Sequence, residues 1–211
     1  MVKALEIRDL VIGYTSKGTK AQVVAGPIDL SMETGQLHCL VGPNGVGKST
    51  LLRTLAGVQP PLDGRVTILG MDIESLRNRD LARLISIVLT ERIGFGNLSV
   101  YDIIAMGRTP HTGWFGSLEN KDKSIISQAI SSTHTESLVN SSIHTISDGE
   151  RQKVMIARAL AQDTPVIFLD EPTAHLDLPN RIEIIRLLRN LAAKTNKAIV
   201  MSTHELDLAL Q

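Results

Sequence analysis

The sequence contains a single cysteine and few aromatic residues. Cys39 has no partner for an internal disulfide, and such sparse cysteine usage fits a reducing compartment. Aromatic residues make up 3% of the chain, which argues against a stacking platform for single-stranded nucleic acid. Lysine plus arginine equals aspartate plus glutamate at 22 each, so the basic excess of a nucleic-acid surface is also missing. We therefore expect no nucleic-acid partner.

Long apolar runs are missing as well. No stretch is long enough to span a bilayer, and the first residues lack a signal-peptide pattern. We therefore expect a cytoplasmic protein that reaches a membrane only through a partner. With 43% hydrophobic and 21% charged residues, the composition is typical of a globular chain with a core. A length of 211 residues favours one domain over 1–211, with room for an inserted subdomain.

Apolar strands alternate with helical segments along most of the chain. LHCLV, LISIVL, TPVIFLD and KAIVMSTH each favour a buried strand, and LPNRIEIIRLLRNLAAKT favours a helix with one apolar stripe. This order predicts an α/β fold with a mainly parallel sheet flanked by helices. Residues from about 92 to 146 lack apolar strands and carry helical patches. We interpret them as an inserted α-helical subdomain, with the core at about 1–91 and 147–211.

One glycine-rich segment predicts a phosphate site. GPNGVGKST fits the pattern G-x-x-x-x-G-K-[ST] and lies between an apolar strand and a helix. Its glycines let backbone N–H groups approach phosphate oxygens, Lys48 can reach the β- and γ-phosphates, and Ser49 can offer a hydroxyl to Mg²⁺. The candidate ATP-binding residues of this loop are Gly42, Pro43, Asn44, Gly45, Val46, Gly47, Lys48, Ser49 and Thr50.

Polar side chains follow two of the apolar strands. Asp170 and Glu171 end VIFLDEP, and His204 ends VMSTH. Ligands of open α/β sheets bind beyond the carboxyl ends of the strands. We expect Asp170 to hold Mg²⁺ and Glu171 to polarise the attacking water. Glu171 should point differently from Asp170, because neighbours along a strand alternate between faces. His204 could contact the γ-phosphate or that water, so the predicted catalytic residues are Lys48, Glu171 and His204.

The turn at Ser147, Asp148, Gly149 and Glu150 begins an amphipathic helix. It suits a second anion, or simply an N-capped helix with Ser147 as the cap.

Together these motifs resemble the nucleotide-binding subunit of an ABC transporter, a P-loop NTPase with an N-terminal antiparallel β portion. The resemblance covers essentially the whole chain. ISDGE falls at the family signature, and Asp177 of AHLD falls at the D-loop. Tyr14 occupies the place of the aromatic side chain that stacks on adenine, although a tyrosine there could equally pack on its strand.

The resemblance implies ATP and Mg²⁺ as cofactors and a second copy of the chain as partner. In the family, two subunits pack head to tail, and the signature of one closes over the nucleotide of the other. The resemblance also implies integral membrane permease subunits, a substrate-binding protein reached through the complex, and a peripheral location on the cytoplasmic side of the inner membrane.

The sequence departs from the family pattern at two positions. Asp148 replaces the first signature glycine, so its side chain must point away from a bound phosphate. The family glutamine that ligates Mg²⁺ after LISIVL is absent. Thr90 aligns with it best, and Glu91 is the substitute ligand if the loop shifts by one residue.

The segment LSVYDIIAMGRTPHTGWFG resembles ATPases of importers for iron–siderophore, haem and cobalamin complexes. The alternative is a non-transport ABC ATPase acting in translation, DNA repair or chromosome organisation. Those proteins usually carry long coiled-coil arms or two nucleotide-binding halves, and this sequence shows neither. An inactive regulatory module is a third reading, against which the intact site residues argue. The family normally continues beyond His204 with more strand and helix, so a truncated C-terminus is left open.

Overall fold

The computed structural model describes residues 3–15, 20–90, 96–113 and 116–205. The described N-terminal strands form an antiparallel sheet with the order β2-β1-β4-β5. These strands are β1 Lys3–Tyr14, β2 Gln22–Glu33, β4 Asp63–Ile68 and β5 Met71–Asp72. The inward side chains of β1 and β4 pack with helix α1, Lys48–Leu55, in one apolar cluster. The predicted antiparallel β portion is confirmed.

The second sheet is parallel and has the order β3-β8-β7-β6. Its strands are β3 Leu37–Val41, β6 Ile85–Val88, β7 Val166–Leu169 and β8 Ala198–Thr203. Every residue of β7 and β8 is buried, which explains their continuous apolar sequence. Burial also raises the pKa of the Cys39 thiol on β3. The predicted mainly parallel α/β core is therefore confirmed.

The register of the parallel sheet determines where the polar side chains meet. Val41 pairs with Thr203 at the end of β3 and β8, and Leu169 pairs with Met201 near the end of β7. The residues that follow these strands therefore emerge at the same edge of the sheet. This edge collects the glycine-rich loop after β3, the two carboxylates after β7 and the histidine after β8.

Helices account for most of the described chain between β6 and β7. Helix α2, Asn78–Leu81, precedes β6, and the helices α3 Val100–Ala105, α4 Asn120–Ser132 and α5 Asp148–Ala161 lie between β6 and β7. Helix α5 packs against α3, α4 and strand β6, with Val154, Ala157 and Ala161 fully buried. This helix thus contacts both the helical region and the core.

The final described helix, α6 Leu178–Thr195, matches the predicted helix residue for residue. Ile184, Leu187, Leu188 and Leu191 form its buried stripe. Within the described part of the chain, no helix has the length and apolar character needed to cross a membrane.

Candidate functional site

The glycine-rich loop wraps between β3 and α1. Gly45 and Gly47 adopt positive φ angles of 80° and 106°, which only glycine adopts readily. A Cβ on Gly47 would lie 2.5 Å from the Val24 side chain, so the close approach of β2 also requires glycine. The loop ends where α1 begins at Lys48, and helix N-termini favour bound anions.

Lys48 folds back over its own loop. Its ammonium group donates to the carbonyl oxygens of Gly42 at 2.8 Å and Pro43 at 3.1 Å. The same Nζ atom lies 3.4 Å from Oε1 of Glu171, and the Lys48 side chain is only 8% exposed. The structure therefore places the predicted phosphate-binding cation beside the predicted water-polarising carboxylate.

The Asp170 carboxylate is 4% exposed and lies directly after β7. Its Oδ1 atom accepts hydrogen bonds from the hydroxyls of Ser49 at 2.9 Å and Ser202 at 2.8 Å. Thr90 donates to the Asp170 backbone carbonyl at 2.7 Å. The three predicted metal ligands Ser49, Asp170 and Thr90 are thus brought together. The alternative ligand Glu91 lies outside the described residues.

These donors are chemically suited to Mg²⁺, which prefers carboxylate and hydroxyl oxygens and keeps several of its waters. A buried carboxylate with a hydroxyl beside it fits such a partly hydrated ion. No cluster of three or more histidine, cysteine, aspartate or glutamate side chains that could hold a metal occurs in the described ranges.

Glu171 adopts a backbone conformation that strand alternation does not predict. Strand β7 ends at Leu169, and Glu171 has φ of 46°, in the left-handed region. The expectation that strand alternation makes Glu171 point differently from Asp170 is therefore wrong in its reason, because Glu171 lies beyond the end of β7. The left-handed turn sets its direction, with Oε2 lying 3.8 Å from Nδ1 of His204. His204 is 42% exposed and can reach solvent beyond the carboxylate.

A cleft of about 320 Å³ opens beside the loop. Tyr14 lies at one side of it, and its hydroxyl is 2.8 Å from the hydroxyl of Thr50. Tyr14 is half exposed. The described lining residues are Tyr14, Gln22, Val24, Gly45, Gly47, Lys48, Ser49, Thr50 and Glu171.

The turn at residues 147–150 is a capping box at the start of α5. Ser147 N–H and its hydroxyl donate to Glu150 Oε2 at 2.8 and 2.7 Å, and Glu150 N–H donates to Ser147 Oγ at 3.3 Å. The hydrogen bond from the Ser147 side chain, followed by that from its backbone, lowers the pKa of Glu150. Asp148 is exposed. The predicted N-cap is confirmed.

This turn lies beside the first turn of α6 rather than at the cleft. A Cβ on the buried Gly149 would come within 2.9 Å of Oδ1 of Asn180, in the first turn of α6. Asp177 caps that helix by accepting from Asn180 N–H at 3.1 Å. None of these residues is among the described residues that line the cleft. The turn at residues 147–150 is therefore separate from the cleft.

Sequence reasoning missed Ser202, whose hydroxyl joins Asp170 to Glu171. Glu171 N–H donates to Ser202 Oγ at 2.8 Å, and Ser202 is completely buried. The available signal was a polar residue inside an apolar strand, two positions before His204.

Comparison with known proteins agrees with this geometry. The ABC transporter family model matches residues 25–174. An uncharacterised ABC transporter ATP-binding protein of Methanocaldococcus jannaschii is 44% identical over 98% of this chain and 70% of its own length. The iron(3+)-hydroxamate import ATP-binding protein of Bacillus subtilis is 34% identical over 99% of this chain and 76% of its own.

Solved structures give the same answer. A Clostridium perfringens chain that is part of an ABC transporter complex has a TM-score of 0.84 and 27% identity, over 99% of this chain and 81% of its own length. A chain assigned to an inward-facing, metal-chelate type ABC transporter has a TM-score of 0.81 and 30% identity, over 99% of this chain and 76% of its own. The chain therefore belongs to the ABC transporter family and is one of its ATP-binding members.

Proposed function

We propose that the chain hydrolyses ATP with Mg²⁺ and thereby powers an ABC importer. The observation that carries this proposal is the hydrogen bond from the Ser49 hydroxyl to Asp170 at 2.9 Å, beside Lys48 and Glu171, which line the cleft. These are the parts that phosphoryl transfer to water needs: a phosphate cradle, a metal-binding pair and a base.

The residues would divide the chemistry as follows. The loop N–H groups and Lys48 hold the β- and γ-phosphates and stabilise the charge that develops on them. Glu171 accepts a hydrogen bond from the attacking water and aligns it with the γ-phosphorus. His204, at the far side of the Glu171 carboxylate, contacts the γ-phosphate or that water. Tyr14 stacks on the adenine.

Mg²⁺, held by Ser49 and Asp170 with Thr90 nearby, would neutralise charge on the phosphate oxygens. The Thr90 hydroxyl already donates its proton to the Asp170 carbonyl, which leaves its oxygen lone pairs available to a cation. Thr90 is therefore our preferred third protein ligand.

The second anion surface, Ser147 to Glu150, would serve the nucleotide of a second copy packed head to tail. Its separation from the cleft within one chain supports action in trans. Asp177, beside this turn, would lie at the same subunit interface. The signature turn, Asp177 and the glycine-rich loop of the partner would together enclose one ATP.

We further propose permease subunits as membrane partners and a metal chelate as cargo. The relatives include petrobactin import and iron(3+)-hydroxamate import ATP-binding proteins of Bacillus and a cobalamin import ATP-binding protein of Halobacterium salinarum. The chain would then act at the cytoplasmic face of the membrane, and a substrate-binding protein would deliver the chelate. Residues 92–146 with α5 would form a helical subdomain on the core, within one domain.

The test uses the chain assembled with its permease subunits in lipid vesicles. The unmodified complex should hydrolyse ATP only with Mg²⁺ and accumulate a ferric siderophore or cobalamin. Glu171→Gln should abolish both activities while retaining ATP binding, whereas Glu183→Gln, an exposed glutamate of α6, should leave both unchanged. Hydrolysis that persists in Glu171→Gln would contradict the assignment. Hydrolysis without uptake of any chelate would contradict the cargo.

A further inference from the structure

Ser202 is a fully buried hydroxyl at the catalytic edge of the parallel sheet. It lies in β8, between β3 and β7, and is 0% exposed. A buried hydroxyl costs free energy unless its donor and its acceptor sites both find partners. The partners of Ser202 are the two residues to which we assign the metal and the attacking water.

The hydroxyl connects the two carboxylate residues. Ser202 donates to Oδ1 of Asp170 at 2.8 Å and accepts from the backbone N–H of Glu171 at 2.8 Å. The Asp170 Oδ1 atom also accepts from Ser49 at 2.9 Å. Ser202 therefore holds the Oδ1 side of the Asp170 carboxylate from within the sheet.

The bond to Glu171 matters because that residue is in a strained conformation. A φ of 46° is uncommon for residues other than glycine, and such conformations persist only where surrounding contacts hold them. The Ser202 hydroxyl receives the Glu171 N–H at the residue where the chain turns. The same turn brings the Glu171 carboxylate to within 3.4 Å of Lys48.

We infer that Ser202 is a positioning residue for ATP hydrolysis, which fixes the Glu171 backbone and the Asp170 carboxylate through one shared hydroxyl. This inference rests on the proposed function. Ser202 does not itself touch the nucleotide, so removing its hydroxyl should slow hydrolysis while leaving ATP binding nearly unchanged. Small displacements of a catalytic group commonly reduce rates by about 10²-fold, and we expect a loss of about 10–100-fold in kcat.

The main experiment compares Ser202→Ala with Ser86→Ala in the assembled complex. Ser86 is a matched control because it is also a buried serine of the parallel sheet, 2% exposed, and it accepts from Thr164 instead of a site residue. Ser202→Ala should lower kcat by about 10–100-fold with ATP affinity within about twofold, and Ser86→Ala should change neither. A kcat for Ser202→Ala within twofold of the unmodified protein would overturn the inference.

A second pair of variants separates the effect of the hydroxyl on kcat from the effect of side-chain packing. Ser202→Thr keeps the hydroxyl and adds one methyl group. Valine has the same shape as threonine but carries a methyl group in place of the hydroxyl, so the two variants fill the buried site equally. Ser202→Thr should exceed Ser202→Val in kcat by at least fivefold. Equal activities would assign any loss to packing and overturn the inference. This comparison remains decisive even if Ser202→Ala does not fold.

A double variant identifies the residue through which Ser202 acts. In Glu171→Asp, which keeps a shortened carboxylate and should retain slow hydrolysis, adding Ser202→Ala should lower kcat less than it does in the unmodified protein, because both changes misplace the same group. Full additivity would show that Ser202 does not act through Glu171. If the unmodified complex failed to hydrolyse ATP, the proposed function and this inference would both fail. If it hydrolyses ATP and only the Ser202 expectations fail, the proposed function stands.

Discussion

Lys48 is the residue on which we expect phosphate binding to depend most. Its ammonium group donates to two loop carbonyls and lies beside the Glu171 carboxylate, and Lys48 lines the cleft. Lys48→Ala should lose ATP affinity as well as turnover, because it removes a fixed positive charge from the phosphate cradle. One such preorganised contact is typically worth about 10²–10³ in rate.

Equilibrium binding of a fluorescent ATP analogue measures this effect. Lys121→Ala, an exposed lysine at the start of α4, is the control and should bind as the unmodified protein does. Unchanged affinity in Lys48→Ala would show that the loop holds the nucleotide by its backbone alone.

Thr90 poses a different question, because its hydroxyl could ligate Mg²⁺ or simply tether Asp170. If it is a ligand, Thr90→Val should raise the Mg²⁺ concentration needed for half-maximal ATP binding by about tenfold. Glu91→Gln should do much less. We would measure Mg²⁺-dependent nucleotide binding in the Glu171→Gln background, which separates binding from turnover. The reverse ranking would make Glu91 the ligand, and no effect from either would leave Ser49 and Asp170 as the protein ligands.

Among the structural elements, the helical region depends on a buried ion pair that joins three of its parts. Arg108, 3% exposed, donates to Asp122 Oδ1 of α4 at 2.9 Å and to the Ala161 carbonyl at the end of α5 at 2.9 Å. Asp122 also accepts from Glu119 N–H at 3.0 Å. This backbone hydrogen bond, together with Arg108, lowers the pKa of Asp122.

Asp122→Asn should therefore destabilise the protein by about 3–5 kcal/mol, because it leaves the Arg108 charge buried without a counter-charge. Asp80→Asn is the control, since its pair with Arg77 is also 2.9 Å long but lies on the surface, where such pairs contribute about 0–1 kcal/mol. Chemical denaturation at pH 7 measures both changes.

The lowered pKa gives this prediction a pH dependence with a defined sign. A carboxyl group whose pKa is lower in the folded state stabilises the protein above its unfolded pKa, and that contribution disappears as pH falls through the folded pKa. The difference in stability between the unmodified protein and Asp122→Asn should therefore shrink below about pH 4. A constant difference down to pH 2 would mean that the Asp122 charge contributes nothing.

Elements and individual residues differ in how far the sequence could predict them. The parallel strands, α6 and the glycine-rich loop followed from apolar runs and local motifs, because burial and backbone geometry act over a few neighbouring residues. The left-handed Glu171 and the Ser202 hydrogen bonds did not, because they depend on β7 and β8 being adjacent, which is a long-range pairing. The family resemblance predicts Thr90 near the proposed metal site, but it does not predict the hydrogen bond from Thr90 to the Asp170 carbonyl.

For the whole molecule, the cleft and the capping box at Ser147 are separate surfaces. The cleft is lined by Lys48 and the glycine-rich loop, while the capping box lies beside the first turn of α6, and the described cleft lining includes neither Ser147 nor Asp177. A helix N-terminus with a serine cap can stabilise its own N–H groups or a bound phosphate with the same geometry. An experiment on the dimer distinguishes these two uses, because in the proposed assembly the partner's nucleotide would complete the site.

Glu171→Gln should trap this assembly, because it keeps the size and shape of the side chain but removes the charge that polarises water. ATP should then bind without cleavage, and a closed head-to-tail dimer should accumulate. Adding Ser147→Arg should abolish the dimer by steric and charge clash, while ATP binding to each monomer's own loop stays nearly intact. Lys121→Ala, added to Glu171→Gln in the same way, should leave the dimer unchanged. Size-exclusion chromatography with light scattering, with and without ATP, gives the dimer fraction, and direct titration gives the affinity. Loss of ATP binding by a folded Ser147→Arg monomer would mean that the turn acts on its own chain's nucleotide, and the assignment in trans would be wrong.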